Sequence, residues 1–442
     1  MNIQTVIKTG FRYALTYAVL LAVFVTTLTL VCALPNERIQ KNILDSVPQM
    51  RQEGLRYQAF GHELSTLDGF TDQLIAEMQF VVDPANPFKA AIVSYREDFD
   101  YLDIIERVAA GGEKVTDNYA RYWHGYAVWL RPLLMLFNYG QTRIVMNVAF
   151  YALLAAVFAL LYIRTKVWWS GVPPALALLS VYLFTIPMSW QFFSVFAVAL
   201  AVCIYILLKL KNAEFVPKLP HVLFISGALT TFIDLTSAPL VACGFPLIIS
   251  LLVIYRHKYI SSVREYAALG AKMVFAWGLG YVILWVSKWV LADAVFRLGT
   301  ISGALERTRA WTYGEAQLYP EIIWWKAPVF VFEYTFRSFA LPAFLFLLAL
   351  VAFVIWRAVK HKDHMLWVFL GAGLMPVVWF MVAYSHTYVH YFMVFRALSV
   401  SIMAIISAFC CALWRYYQTK KKNAKILRGK QKKGKNKKSR KR

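Results

Sequence analysis

Apolar runs of about 20 residues, separated by short polar or basic stretches, recur along the chain. A run of that length, wound as an α-helix, crosses the roughly 30 Å hydrocarbon core of a bilayer. In lipid it must be helical, because every backbone N–H and C=O needs an internal partner. The pattern predicts ten membrane helices, at 11–34, 142–163, 168–187, 189–210, 220–237, 239–255, 267–291, 336–356, 365–384 and 391–414. The first is too long for a signal-peptide core, and Pro35-Asn36-Glu37-Arg38 behind it offers no small-residue cleavage pattern, so it reads as a permanent helix.

The expected fold is therefore an all-α polytopic membrane protein. Its composition, 60% hydrophobic and 16% charged over 442 residues, excludes an ordinary soluble domain. Basic residues set the expected orientation. Lys8, the pair Arg164 and Lys166, the group Lys209, Lys211 and Lys218, the group Arg256, Lys258 and Arg264, and the group Arg357, Lys360 and Lys362 all fall on one side if the helices alternate. The positive-inside rule makes that side cytoplasmic, with both termini.

Four regions follow: 1–34, a cytoplasmic N-terminus and first helix; 35–141, a long extracytoplasmic loop; 142–414, the helix bundle, with an outer loop at 292–335; and 415–442, a tail. The tail holds fifteen Lys or Arg and no acid, which is most of the net +23. Low complexity predicts disorder there, and the charge suits anionic lipid at about 1 kcal/mol per residue. It lacks interleaved aromatics, so nucleic acid is not an expected partner. The five cysteines sit in or at the edges of spans and read as small core residues.

Candidate chemistry concentrates on the outer side. The 35–141 segment carries fifteen of the twenty-four acids. Short amphipathic helices are predicted at 37–58 and 71–80. Residues 119–140, YARYWHGYAVWLRPLLMLFNYG, have the composition of an interfacial helix lying on the membrane, with His124 and Arg131 as candidate contacts. Within STLDGFTDQLIAEM, Asp68 and Asp72 are four apart, which a helix would place on one face; Gly69 interrupts that reading, and a helix cap is the alternative. A carboxylate at this boundary suits a general base for a hydroxyl acceptor.

FIDLTSAPL places Asp234 at the end of a span, where a charge costs roughly 2.5–3.5 kcal/mol and needs a partner or a wet cavity. YSHTYVHYFMVFR places His386 and His390 at i and i+4, a spacing compatible with a shared metal, but no third ligand is identifiable and no cofactor is assigned. Arg396 lies inside a span and should face the bundle. Arg297, Arg307 and Arg309, beside WTYGEAQLYPEIIWW, are outer arginines able to grip phosphate or to pair with Glu306, Glu315 or Glu321.

LDGFTDQLI, RYWHGYAVWLRPLL, FIDLTSAPLVACGFPL and SHTYVHYFMVFR resemble blocks of poorly characterised bacterial membrane proteins of the GT-C glycosyltransferase class. The resemblance implies transfer of a sugar from a polyprenyl-phosphate donor to a glycan or lipid acceptor of the cell envelope. It implies Asp68 or Asp72 as base and Arg309 and Arg396 as donor-phosphate contacts. The chain departs from the class in one respect: Asp68 lies more than thirty residues beyond Leu34, whereas in many GT-C enzymes the key acid follows the first helix closely. Two other classes compete. A transporter or flippase of a lipid-linked glycan predicts midplane helix breaks and internal repeats. A non-catalytic assembly protein would use the aromatic stretch and the basic tail.

Overall fold

The computed structural model describes residues 3–98, 100–314 and 323–439. Helix α1 (Ile3–Cys32) leads into short helices α2 (Glu37–Leu44), α3 (Val47–Glu53), α4 (Gly69–Phe80), α5 (Pro87–Val93), α6 (Tyr101–Ala109) and α7 (Ala127–Leu134). The bundle follows as α8 (Tyr139–Thr165), α9 (Val172–Leu179), α10 (Trp190–Lys209), α11 (Leu219–Ile233), α12 (Val241–His257), α13 (Val263–Phe296), α14 (Thr300–Arg309), α15 (Ala327–Phe336), α16 (Ala340–Lys360), α17 (Leu366–Gly373), α18 (Met375–Val382), α19 (Tyr384–Val389), α20 (Tyr391–Val394) and α21 (Leu398–Ser439). Among the described residues there is no β-strand, only the isolated bridges Gln58–Thr66 and Tyr95–Asn118.

The chain is an all-α polytopic membrane protein. Seven stretches among the described residues are long and apolar enough to span: Ile7–Cys32, Tyr139–Thr165, Trp190–Lys209, Ala213–Ile233, Val263–Phe296, Trp324–Lys360 and Tyr391–Lys420. Val241–His257 and Leu366–Val382 are shorter apolar helices. Helix α16 leaves Leu341, Phe344, Leu345, Phe346 and Leu348 exposed, and α1 leaves Phe11, Leu15, Val19 and Val23 exposed. Such faces would be a liability in water but lie among their own kind in lipid.

Three expectations are corrected. Residues 168–187 do not form one spanning helix; they break into a 3-10 turn at Trp168–Gly171, α9, and a 3-10 turn at Leu183–Met188. Pro173 and Pro174 start α9 and Pro187 sits in the second turn, and a proline can neither donate to nor fit the interior of a continuous helix. The backbone of the basic tail is helical to Ser439 rather than disordered. Lys and Arg are good helix formers, no proline interrupts them, and α21 is already nucleated at Leu398. Finally, 119–140 is not one interfacial helix. Only Ala127–Leu134 is α-helical before α8 begins, and Tyr122, Trp123, Tyr126, Leu130 and Leu134 are buried. Its rings are taken up by a core shared with Phe24 and Leu28 of α1, Phe232 of α11 and Leu284 of α13.

The segment between α1 and α8 is thus welded to one end of the bundle, the segment end. Asn36 donates to Phe80 O (2.9 Å) and Asn42 to Leu134 O (2.8 Å), closing the ends of α4 and α7. Lys288 of α13 is fully buried, and its Nζ donates to Ala91 O (3.1 Å) and Ile92 O (2.7 Å), closing α5. At the opposite, basic end, Arg256 donates to Thr165 O (3.1 Å), while Tyr255 donates to Asp363 (2.6 Å), which also pairs with Arg415 (2.5 Å).

Between the two ends, α11 and α13 cross at backbone contact. A Cβ on Gly227 would lie 2.0 Å from Trp277 O, and one on Gly280 would lie 2.1 Å from Phe224 O. Small residues allow this approach in a membrane, where packing rather than hydrophobicity joins helices. Gly280→Leu must force the pair apart and is expected to cost about 3 kcal/mol, at the upper end of overpacking. Thermal unfolding in detergent checks this; a midpoint equal to wild type would remove the contact from the stability argument.

Candidate functional site

Asp68 and Asp72, four residues apart, have different surroundings. Asp68 is the N-cap of α4: its Oδ1 accepts from Thr71 N at 3.1 Å, satisfying a free helix donor. Its Oδ2 is buried with no partner. Burial raises its carboxyl above the ordinary range, opposed by Thr71 and by the fields of Arg396 and Arg56. Asp72, in the first turn of α4, is fully engaged. Oδ1 accepts from Ser189 Oγ (3.1 Å) and Trp190 N (3.0 Å), and Oδ2 accepts from Tyr139 OH (2.8 Å). It therefore caps α10 from a distance. Arg143 supports Tyr139 and forks onto Glu53 at 2.7 and 2.8 Å.

Arg396 reaches the same region as Asp68 from the turn between α20 and α21. It is fully buried; Nη1 donates to Phe392 O (3.0 Å), and Nη2 to Thr185 Oγ1 (3.1 Å) and Thr66 O (3.4 Å). The guanidinium lies over the rings of Phe192 (3.6 Å) and Phe395 (4.7 Å), and its Nε is buried without a partner. Arg56, exposed, lies 4.5 Å over the ring of Phe392. A carboxylate with a free oxygen, a buried guanidinium with a free N–H and a second, exposed guanidinium form one group. Tyr334 stands beside it, donating to Glu63 O at 3.2 Å, and Glu63 in turn pairs with Arg337.

A second group lies next to it. Asp234 ends α11 and shapes the turn into α12, its Oδ1 accepting from Ser237 N (3.1 Å) and Ser237 Oγ (2.6 Å), with Oδ2 buried and unpartnered. Thr236 in that turn has a left-handed φ of 74° and meets both His386 Nε2, through its carbonyl (3.3 Å), and Tyr122 OH (3.3 Å). The His386 and His390 rings are 4.6 Å apart, and Trp311 lies 5.2 Å from His386. Burial keeps both imidazoles neutral, lowering His386 to about 4, with Arg307 adding to the effect. From Trp311 an aromatic wall continues along α13 through Trp285, Trp289, Tyr281 and Trp277, which recur every four residues. Arg56 acts electrostatically on both Asp68 and His390, which joins the two groups.

The remaining sequence candidates stand apart. Arg131 is fully buried and bound to Val31 O (2.8 Å), Gln79 O (3.0 Å) and Asn36 Oδ1 (3.0 Å). His124, at a left-handed φ of 56°, has both ring nitrogens engaged, with Tyr126 OH (3.0 Å) and Tyr119 O (2.9 Å). It faces a cavity of about 20 Å³, room for about one water. Arg309 is exposed at the end of α14. Glu315 and Glu321 lie outside the described residues, and Glu306 is exposed. Among the described residues no group of three or more His, Cys, Asp or Glu is placed to hold a metal ion. Residues that sequence reasoning did not weigh are Arg56, Tyr334, Thr185 and Tyr122; Arg56, an arginine on the side opposite the basic loops, carried a usable signal.

Buried acids give this end of the molecule a pH dependence. Burial pushes Asp72 up to about 7 and Glu77 up to about 8. Unfolded, such groups titrate near roughly 4, so the folded state holds extra protons in between. Their contribution is complete below the unfolded value and is lost as pH rises through the folded one. His124, depressed to about 3 by burial, has the opposite sign, and its contribution is lost as pH falls below about 6.5. Above pH 6.5 the acids dominate. Detergent-solubilised protein is expected to lose stability from about pH 6.5 to 8.5, and Glu77→Gln to flatten that loss. Parallel melting profiles for the two proteins would remove Glu77 as the cause.

No family model, curated protein or solved structure matches the chain.

Proposed function

We propose that this protein is a GT-C-like glycosyltransferase that moves a sugar from a polyprenyl-phosphate donor to a hydroxyl of a cell-envelope glycan or lipid. The observation that carries this reading is Asp68, a buried carboxylate with a free oxygen in the field of Arg396 and Arg56. Asp68 takes the proton of the acceptor hydroxyl. The acceptor oxygen bonds to the anomeric carbon, the bond from that carbon to the phosphate oxygen breaks, and the electron pair leaves with the polyprenyl phosphate. The exposed Arg56 and the buried Arg396 suit the phosphate charge, as guanidinium forks do. The aromatic wall of Trp311, Trp285 and Tyr122 offers ring faces, electron-rich surfaces for sugar C–H groups. Asp234, His386 and His390 contribute hydrogen-bonding positions along that wall.

On this reading the segment end faces away from the cytoplasm, both termini face inward, and anionic lipid sits at the basic tail. The test is reconstitution in liposomes with radiolabelled polyprenyl-phosphate sugars and membrane acceptors. Sugar appearing in the acceptor fraction is the expected result. If no lipid-linked donor is turned over or bound, the transferase reading fails. Movement of an intact lipid-linked glycan across the vesicle wall without product would instead select the flippase reading.

A further inference from the structure

A groove of about 700 Å³ opens on the lipid-facing side of the bundle between α12, α13 and α17. Leu247, Ala267, Gly270, Trp367, Gly371 and Phe275 line it. It follows α13 from Val263 to Phe275, about 18 Å at 1.5 Å per residue, close to the thickness of one hydrocarbon leaflet. Its two ends differ. Toward Met375 and Phe275 it is wholly apolar. Toward Val263 and His364 it opens among the basic loops, where Lys258, Arg264 and Lys362 are exposed. Of the nearby acids, Asp363 is buried and held by Tyr255 and Arg415, and only Glu265 is exposed.

We infer that this groove holds one acyl chain of an anionic glycerophospholipid from the leaflet at the basic end. A hydrocarbon chain fills the apolar length, and a phosphate headgroup meets the cations at the mouth. Two features make the site specific rather than ordinary annular contact. Small residues on facing helices, Ala267 and Gly270 against Gly371, make the channel, and the three exposed cations Lys258, Arg264 and Lys362 gather at one end of it. The inference is independent of any catalytic activity.

Gly371 is the test position, because a Cβ there meets nothing within 4 Å. Gly371→Trp fills the groove without displacing backbone. Purified full-length protein would be titrated with phosphatidylglycerol or phosphatidylcholine and weighed by native mass spectrometry. Wild type is expected to retain one phosphatidylglycerol per chain, and Gly371→Trp to bind it at least about tenfold more weakly. Lys258→Glu with Arg264→Glu is expected to abolish the preference for phosphatidylglycerol while chain binding persists. Because the basic tail also attracts anionic lipid, brominated-chain phosphatidylglycerol supplies a local readout. It should quench a fluorescence component that Trp367→Phe, a mild substitution, removes. Equal lipid retention by wild type and Gly371→Trp, quenching unchanged by Trp367→Phe, or a wild-type dimer that excludes lipid from this face would overturn the proposal.

Discussion

Asp68→Asn is expected to lower sugar transfer by about 10²–10⁴-fold, the range that a positioned general base supplies, while the protein stays folded. The asymmetry between the two oxygens makes this a clean experiment. Oδ1 caps α4 through Thr71 N, and an asparagine carbonyl caps as well as a carboxylate. Oδ2 has no partner to lose, so the amide nitrogen displaces nothing. The capacity to take a proton disappears, together with the negative charge that faces Arg396 and Arg56. Asp72→Asn is the counterpart with the opposite outcome. Asp72 accepts three hydrogen bonds, from Tyr139, Ser189 and Trp190, and an amide NH2 in place of one oxygen faces a donor it cannot accept. Its expected result is lower stability, about 1–3 kcal/mol for the mismatched group, with catalysis falling only as far as folded protein does. Equal transfer by wild type and Asp68→Asn would remove Asp68 as the base; full stability in Asp72→Asn would undo its structural role.

Arg131→Met is expected to produce the largest loss of stability, about 3–5 kcal/mol, from lost packing and from buried acceptors left without their donor at about 1–3 kcal/mol each. The guanidinium fills its site with three directed bonds, to the end of α1, the end of α4 and the start of α2. Methionine keeps the unbranched apolar stem but leaves Gln79 O and Asn36 Oδ1 without their donor, while Val31 O retains Leu34 N at 3.3 Å. Lys at the same place offers one point charge in place of a planar fork and should recover only part of the loss. Chemical unfolding in detergent, followed through protease sensitivity of the 35–138 segment, reads the effect. If Arg131→Met keeps wild-type stability but loses donor binding, Arg131 belongs to the substrate site after all.

The membrane character and the position of most helices were legible in the sequence because one physical requirement dominates: apolar length. The exception at 168–187 shows the limit of that signal. Hydropathy counts Pro173, Pro174 and Pro187 as small contributions, whereas the backbone treats each as a missing donor. The aromatic stretch at 119–134 failed for a related reason. Composition shows that Trp123 and Tyr126 are amphipathic, but burial in protein and burial at a membrane surface draw on the same residues. Among the candidate site residues, the sequence identified Asp234 and Arg396 through the cost of placing polar groups near lipid, His386 and His390 through their spacing, and Asp68 through its spacing from Asp72 and its place beyond the first helix; the structure brings these into two adjoining groups. It could not separate them from Arg131, His124 and Asp72, because a buried polar group satisfied by its own chain and one left for a ligand look alike until partners are known. Arg56 was passed over because it lies outside every apolar span, so nothing local made its charge costly.

Lys288 has a consequence for how the molecule is made. Its ammonium closes the end of α5, yet it follows Ile92 by 196 residues. At synthesis rates of about 5–20 residues per second, the segment that contains α5 waits roughly 10–40 s for the helix that completes it. During that interval Ala91 and Ile92 present bare carbonyls, and the aromatic core around Trp123 lacks its α13 wall. A ribosome stalled between α7 and α13 should therefore leave the nascent segment open to proteolysis.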